Sequence, residues 1–469
     1  MQHLIDLPVT ALRELLDARL ISSCDLAEQC IARTESASGL NAYVGFLPER
    51  FRAEARAADS RIAAGERLPL LGIPIALKDN VDLVGYSSGA GTASLAGREP
   101  ETDAELVRRL RAAGAVFAGK LGMHELAFGI TSNNAVSGAI RNPWDVTRIP
   151  GGSSGGSGAA VAARLVPAAI GTDTGGSVRV PAALCGVTGF RATVGRVPGI
   201  GIAPISSTRD TAGPLAHTVR DCALIDEIIA GSPMPLTCVD LRNVRIGVPR
   251  DTLWDDLSPG VREVCQSALR TLEKAGAILV DVALPEVMAV DAEASFPVAF
   301  YEFMRDMRAY LVEARRGVAL EELIGAIGSP DVRGAVGTLL AGGAVPDSVY
   351  QQALRARGRL QALYAQAFAQ NRVEALVFPT TPRVAARIGE DETVELNGRQ
   401  VPTFATFIRN TDPGSNAALP GVSMPAGLSE GLPVGLAFDG PIGTDRRLLA
   451  ICAAAQAALP PAPRVAPSA

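Results

Sequence analysis

Two glycine-rich serine clusters, a short apolar run apart, constrain this chain more than any other feature in it. They are Gly151-Gly152-Ser153-Ser154-Gly155-Gly156-Ser157 and Gly171-Thr172-Asp173-Thr174-Gly175-Gly176-Ser177. Glycine-dense stretches bend tightly and bring backbone N–H groups close to whatever they face, so the fold must set two such turns side by side at the edge of a packed core. Upstream, Lys78 follows the apolar run Gly72-Ile73-Pro74-Ile75-Ala76-Leu77 and precedes Asp79-Asn80. Acyl transfer by a serine needs a hydroxyl that loses its proton, a group that takes it, and N–H donors aimed at the developing oxyanion. The two clusters and the lysine supply these three parts. A lysine acts as a base only when neutral. From a reference pKa of about 10.4, neutrality at pH 7 costs roughly 4–5 kcal/mol of differential solvation, which burial in an apolar strand provides.

The segment Gly171-Thr172-Asp173-Thr174-Gly175-Gly176-Ser177-Val178-Arg179-Val180-Pro181 resembles the Gly-Thr-Asp-x-Gly-Gly-Ser-x-Arg-x-Pro hallmark of the amidase signature family, and the Gly/Ser-rich stretch before it completes the pattern. The likeness is strong from about residue 71 to 213 and continues more weakly to about 459. It implies Ser177 as nucleophile, Ser153 as a bridging serine on a cis peptide bond, and Lys78 as the terminal base, with Ser154 in support. The spacing of twenty-four residues between the two serines agrees with that family. Thr174, Gly175, Gly176 and Ser177 are expected to offer backbone N–H groups to the oxyanion, and Asp173 and Arg179 to brace the turn as an ion pair. His124 in Gly122-Met123-His124-Glu125-Leu126-Ala127-Phe128-Gly129 reads as structural, with Met123 and Phe128 nearer the acyl pocket; Gly122 stands where the family often has Asn.

Within the family, the stretches 123–132, 408–412 and 432–439 are most similar to indoleacetamide and mandelamide hydrolases. The implied activity is hydrolysis of a primary carboxamide to carboxylate and ammonia through an acyl-enzyme. The implied substrates are small arylacetamides such as indole-3-acetamide or mandelamide, and no cofactor is implied. Two alternatives stay open: an amidotransferase A-type subunit working with partner chains on charged tRNA, and a hydrolase of small acid amides of the malonamate or allophanate kind, with Arg409 as a charged anchor.

Hydrophobic periodicity places helices over residues 9–37, 49–65, 103–113, 154–165, 176–184, 260–275, 348–370 and 445–458, and near 296–315. It places strands over 71–77, 115–119, 166–170, 245–248, 278–282, 375–378 and 434–438. Apolar strands alternating with helices predict an α/β fold with a mixed, largely parallel central sheet sandwiched by helices. An N-terminal helical segment over 1–65 is expected to pack on a single domain over 66–459, followed by a loose tail over 460–469. The second helix is expected to begin at Gly176, which would set both serine sites at helix N-termini.

Phe296, Phe300 and Phe303 fall on one helical face beside Tyr301, and Phe404 and Phe407 come later. Such a stripe reads as core or as an aryl-binding wall. Aromatic residues make up only 4% of the chain, so their clustering selects Phe300, Tyr301 and Phe407, with Met123 and Phe128, as pocket candidates.

Composition excludes several other classes. A net charge of −5 gives no basic footprint for nucleic acid. No apolar run is long enough to span a bilayer, and the first residues carry no signal-peptide pattern. Three histidines and seven scattered cysteines without a Cys-x-x-Cys pair give neither a metal site nor a disulfide framework, so a cytoplasmic setting is expected; a homodimer is left open. Ser153 and Ser154 also match Gly-x-Ser-x-Gly, the hydrolase elbow. The residues before them, 142–148, are polar and turn-like, and only His217 follows as a partner. A phosphate cradle at the first cluster would leave Lys78 and the second cluster without roles. The run Gly114 to Lys120 nearly matches a nucleotide-binding loop, but Leu121 occupies the magnesium-binding position, so it reads as a strand and turn.

Overall fold

A computed structural model describes residues 4–340 and 342–465. Eleven strands form one sheet, ordered 43–45, 116–121, 74–78, 168–173, 211–216, 188–191, 421–429, 432–439, 375–379, 245–248 and 278–281. Helices cover it. Of the ten neighbouring pairs, four are parallel and six antiparallel. The mixed α/β sandwich is as the sequence indicates, but the parallel share is smaller. The difference comes from three central strands, Thr188–Arg191, Thr211–Ala216 and Gly421–Ser429, whose glycine, proline, alanine and serine content hides them from a search for β-branched apolar runs.

The long segment expected over 9–37 is two helices, Val9–Asp17 and Ser23–Ser36. Ser22 starts the second with a reciprocal cap, its hydroxyl taking the Asp25 N–H while the Asp25 carboxylate takes the Ser22 N–H. Leu12, Leu16, Leu26 and Phe51 from this N-terminal part are buried in the main core with Ile75, Leu77, Phe117 and Ile170 of the sheet. Tyr43–Gly45 adds an edge strand between the helices. Residues 460–465 carry no helix or strand, and 466–469 lie outside the described residues.

The sheet positions the site through register. Pro74–Lys78 and Ala168–Asp173 run parallel, with Leu77 opposite Ile170, so their carboxyl ends emerge at the same edge. Lys78 and the second serine cluster therefore meet where open α/β sheets commonly place ligands. The first cluster leads into the helix Gly155–Ala162, with Ser154 as its cap residue. The second helix begins only at Arg179 and ends at Cys185. Ser177 thus lies in the turn before that helix, two residues short of it, and not at the helix terminus as expected. The cause is Gly176, whose φ of +141° breaks helical geometry; a Cβ there would stand 2.2 Å from Thr411 Oγ1.

Candidate active site

Lys78 ends a strand buried along its whole length, and its amine reaches two hydroxyls, Ser153 Oγ and Thr172 Oγ1, each at 2.8 Å. Burial pushes the amine down to about 7 against the opposing pull of Asp173 and Asp210. Asn80 Nδ2 donates to the same Thr172 hydroxyl at 3.1 Å and to the Ala203 carbonyl at 3.3 Å. Thr172 therefore holds the lysine directly, and Asn80 steadies Thr172. Lys120, the other lysine on a buried strand, donates to the Val81 and Asp79 carbonyls and to Ser88 Oγ, so it ties down the loop after Lys78. The near nucleotide-binding match is accordingly a strand, Val116–Leu121.

The peptide bond before Ser153 is cis, and the Ser153 carbonyl accepts the His124 N–H at 3.0 Å. Ser154 joins the two clusters. Its N–H donates to the Ser177 carbonyl at 3.3 Å, and its hydroxyl donates to the Thr172 carbonyl and accepts the Thr172 N–H at 3.1 and 3.2 Å. Ser177 is 9% exposed, whereas Lys78 and Ser153 are fully buried, so accessibility falls from Ser177 toward the lysine. Among the described residues, none of the N–H groups of Gly175, Gly176 and Ser177 is used by another protein group.

Asp173 fastens the turn. Its carboxylate accepts the Val178 and Arg179 N–H groups at 3.1 and 3.4 Å and pairs with the guanidinium groups of Arg179 and Arg191, each at 3.1 Å. Burial alone would push this carboxyl up, but the two arginines hold it well below the usual carboxylate range. His124 lies apart from the lysine. Its Nδ1 accepts the Ser132 N–H at 3.1 Å and its Nε2 stands 3.0 Å from the Asp331 carboxylate, which supports the loop. No strand leads into the first cluster as a hydrolase elbow requires, and burial pushes the imidazole of His217 well below its usual range.

A small pocket opens over Ser177, lined by Phe128, Phe296, Phe404 and Ile408 along with Thr174 and Gly175. The aromatic expectations divide here. Phe128 lines the pocket, and Phe300 stands behind it, ring centroids 6.1 Å from Phe128 and 5.6 Å from Phe296. Tyr301 does not line it; the ring stacks on Tyr350 at 3.9 Å and the hydroxyl donates to Asp347. Tyr301 is five residues on from Phe296 and so projects from another face of the helix. Phe407 is buried in a separate cluster with Ile130, Val180 and Leu184, and the partly exposed Phe404 takes the pocket position. Met123 is fully buried beneath the pocket wall with Ala127, Ile205 and Ala299. Arg409 turns away to the carbonyls of Asp255 and Asp256 and to Asn410. A larger cavity of about 520 Å³ shares Ala127, Thr174 and Ile205 as walls but touches neither Ser177 nor Ser153. The smaller pocket is therefore the one that adjoins Ser177.

The family model described as Amidase matches residues 25–449, almost the whole chain. The chain belongs to the amidase signature family. An indoleacetamide hydrolase of Agrobacterium vitis is 42% identical over 457 residues, covering 96% of this chain and 97% of that protein. A mandelamide hydrolase of Pseudomonas putida is 42% identical over 468 residues, covering 96% and 91%. A crystal structure of an amidase superposes with a TM-score of 0.86 at 34% identity, covering 97% of this chain and all of that one. This enzyme is thus an amide hydrolase of that family. Among the described residues there is no cluster of metal-binding side chains and no helix long and apolar enough to cross a membrane.

Proposed function

We propose that this enzyme hydrolyses primary arylacetamides, of the indole-3-acetamide or mandelamide kind, through an acyl-enzyme on Ser177. The observation that carries the reading is the fully buried amine of Lys78, held near neutrality and 2.8 Å from Ser153 Oγ. The Ser177 hydroxyl gives its proton to Ser153 as Ser153 gives its own to neutral Lys78, and Ser177 Oγ bonds to the amide carbon. The carbonyl oxygen gains negative charge, which the N–H groups of Thr174 to Ser177 stabilise. The proton returns through Ser153 to the amide nitrogen, the C–N bond breaks, and ammonia leaves. Water then attacks the ester by the same proton route in reverse, releasing the carboxylate and restoring Ser177.

The pocket chemistry supports a neutral, ring-bearing acyl group. Phe128, Phe296 and Phe404 offer apolar ring faces, and the one arginine beside them, Arg209, is already paired with Asp412. That leaves no free charge to anchor an acid amide, and Arg409, the candidate for that role, is engaged elsewhere. The similarity to indoleacetamide and mandelamide hydrolases points the same way. A cytoplasmic setting belongs to this reading, supported by seven cysteines that are all unpaired.

The test is ammonia release by the purified chain alone from a panel of indole-3-acetamide, mandelamide, phenylacetamide, acetamide and malonamate. Turnover of the aryl amides without added proteins is expected. Activity that appears only with partner chains and charged tRNA would contradict the reading in favour of an amidotransferase subunit, and preference for malonamate would contradict the aryl assignment.

A further inference from the structure

The donors of the Thr174–Ser177 turn need fixed directions, and the turn does not fix them by itself. Its two inner carbonyls are gripped from outside. Thr411 Oγ1 donates to the Gly175 carbonyl at 2.7 Å across a sequence separation of 236 residues, with its other acceptor, the Ile408 carbonyl, farther off at 3.2 Å, and Arg209 Nη2 reaches the Thr174 carbonyl at 3.3 Å. In a trans peptide the C=O and N–H point in opposite directions, and the one cis peptide among the described residues is Gly152–Ser153. Holding the Gly175 oxygen against Thr411 therefore aims the Gly176 N–H the other way, and holding the Thr174 oxygen against Arg209 does the same for the Gly175 N–H.

Thr411 is itself immobilised. It is fully buried, its N–H donates to the Ile408 carbonyl at 2.9 Å, and its own carbonyl accepts Arg179 Nη2 at 3.1 Å. The same Arg179 nitrogen also donates to Asp173 Oδ1 at 3.1 Å. The chain of contacts closes on itself: Asp173 at the start of the turn, Arg179 after it, Thr411 across from it, and Gly175 within it. Gly176 at φ +141° leaves room for the threonine where a Cβ would meet its hydroxyl at 2.2 Å.

We propose that Thr411 is a positioning residue whose hydroxyl sets the direction of the Gly176 N–H toward the developing oxyanion, with Arg209 doing the same for Gly175. The proposal rests on the serine acyl-transfer reading above. Thr411 touches no substrate in this role; it acts through the peptide it holds.

The test compares Thr411→Val, Thr411→Ala and Thr411→Ser with the wild-type chain. Val and Ala are expected to lower kcat roughly 10- to 100-fold with KM within about twofold, because the loss falls on the charged transition state and not on the bound amide. Ser keeps the hydroxyl and is expected to stay within about threefold of wild type. Phenylacetaldehyde, whose hemiacetal with Ser177 carries an oxygen at the oxyanion position, is expected to bind more weakly to Val and Ala in proportion to their loss of kcat/KM. Ala sets no methyl group against the Gly175 carbonyl and serves if Val does not fold. Unchanged kcat in Val or Ala, an equal loss in Ser, or a fall in melting temperature with unchanged relative affinity for the aldehyde would overturn the positioning role. Fluorophosphonate labelling of the wild type separates the two levels: no label on Ser177 removes the serine reading itself, whereas a labelled Ser177 with full activity in Thr411→Val removes only the role of Thr411.

Discussion

The Thr172 hydroxyl stands 2.8 Å from Lys78 Nζ and also accepts the Asn80 amide at 3.1 Å. With Thr172 taking one N–H of the neutral amine, the lone pair is left for the Ser153 hydroxyl. The sign of the pH dependence follows. Lys78 is lowered from 10.5 to about 7, so the neutral base fills as pH rises through 7 and is lost to protonation below it. For an uncharged amide, kcat/KM should rise about tenfold per pH unit below this point and level off above it. The folded protein also binds fewer protons here than the unfolded chain between about 7 and 10.5, so this group makes stability increase with pH across that window. A pH–rate profile flat from 5 to 9 would remove the lysine from the mechanism.

Ser177→Ala and Lys78→Ala should each nearly abolish turnover, with similar damage from either because the members act as a unit and their losses do not add. Ser153→Ala should be severe but less complete, since water can bridge from Ser177 to the lysine. Lys78→Arg should be as inactive as Lys78→Ala, because a guanidinium does not deprotonate in this range. Steady-state kinetics at pH 8 checks all four; full activity in Lys78→Ala would contradict the account.

Asp173→Asn should destabilise the fold by about 3–5 kcal/mol, because it removes the carboxylate that pairs with two fully buried guanidinium groups, leaving Arg179 only the more distant Asp439 at 3.6 Å and Arg191 no ion pair among the described residues. Denaturant unfolding measures this. A loss below about 1 kcal/mol would show that the arginines find other partners.

The aryl pocket gives a ratio to measure. Burying a phenyl-sized group contributes roughly 1.5–3 kcal/mol, so kcat/KM for phenylacetamide or indole-3-acetamide should exceed that for acetamide about 10- to 100-fold or more. Phe296→Ala and Phe404→Ala should shrink the ratio while sparing acetamide. Tyr301→Ala should leave it unchanged, since that ring lies on Tyr350. Equal turnover of acetamide and the aryl amides would show that these rings do not bind the acyl group.

These outcomes separate what the sequence discloses from what only the fold does. Strands of apolar and β-branched residues are legible, and Arg245–Val248 and the helix Asp445–Ala458 coincide with their expected bounds. The strands Thr211–Ala216 and Gly421–Ser429 are not, because glycine, proline and alanine signal turns when read locally, while the sheet interior accepts them for close packing. Lys78, Ser153 and Ser177 stand out by residue type and spacing. Thr172 lies in the same motif yet reads as a spacer until the parallel register places it beside the lysine. Thr411 stands in the stretch 408–412 that carries the resemblance, yet neither it nor Arg209 shows a role locally, since that role lies in contacts to carbonyls far away in sequence. The aromatic choice missed by a fraction of a helical turn: Phe296 and Phe300 share a face, and Tyr301 does not.

The central claim is that Ser177, and neither serine of the first cluster, is the nucleophile. Treatment with a fluorophosphonate followed by peptide mapping tests it most directly. Ser177 keeps 9% of its surface open and lies beside free backbone N–H groups, whereas Ser153 and Ser154 are fully buried and hydrogen-bonded. The account predicts a single label on the peptide carrying Ser177, lost in Ser177→Ala. A label on Ser153 or Ser154 would contradict it.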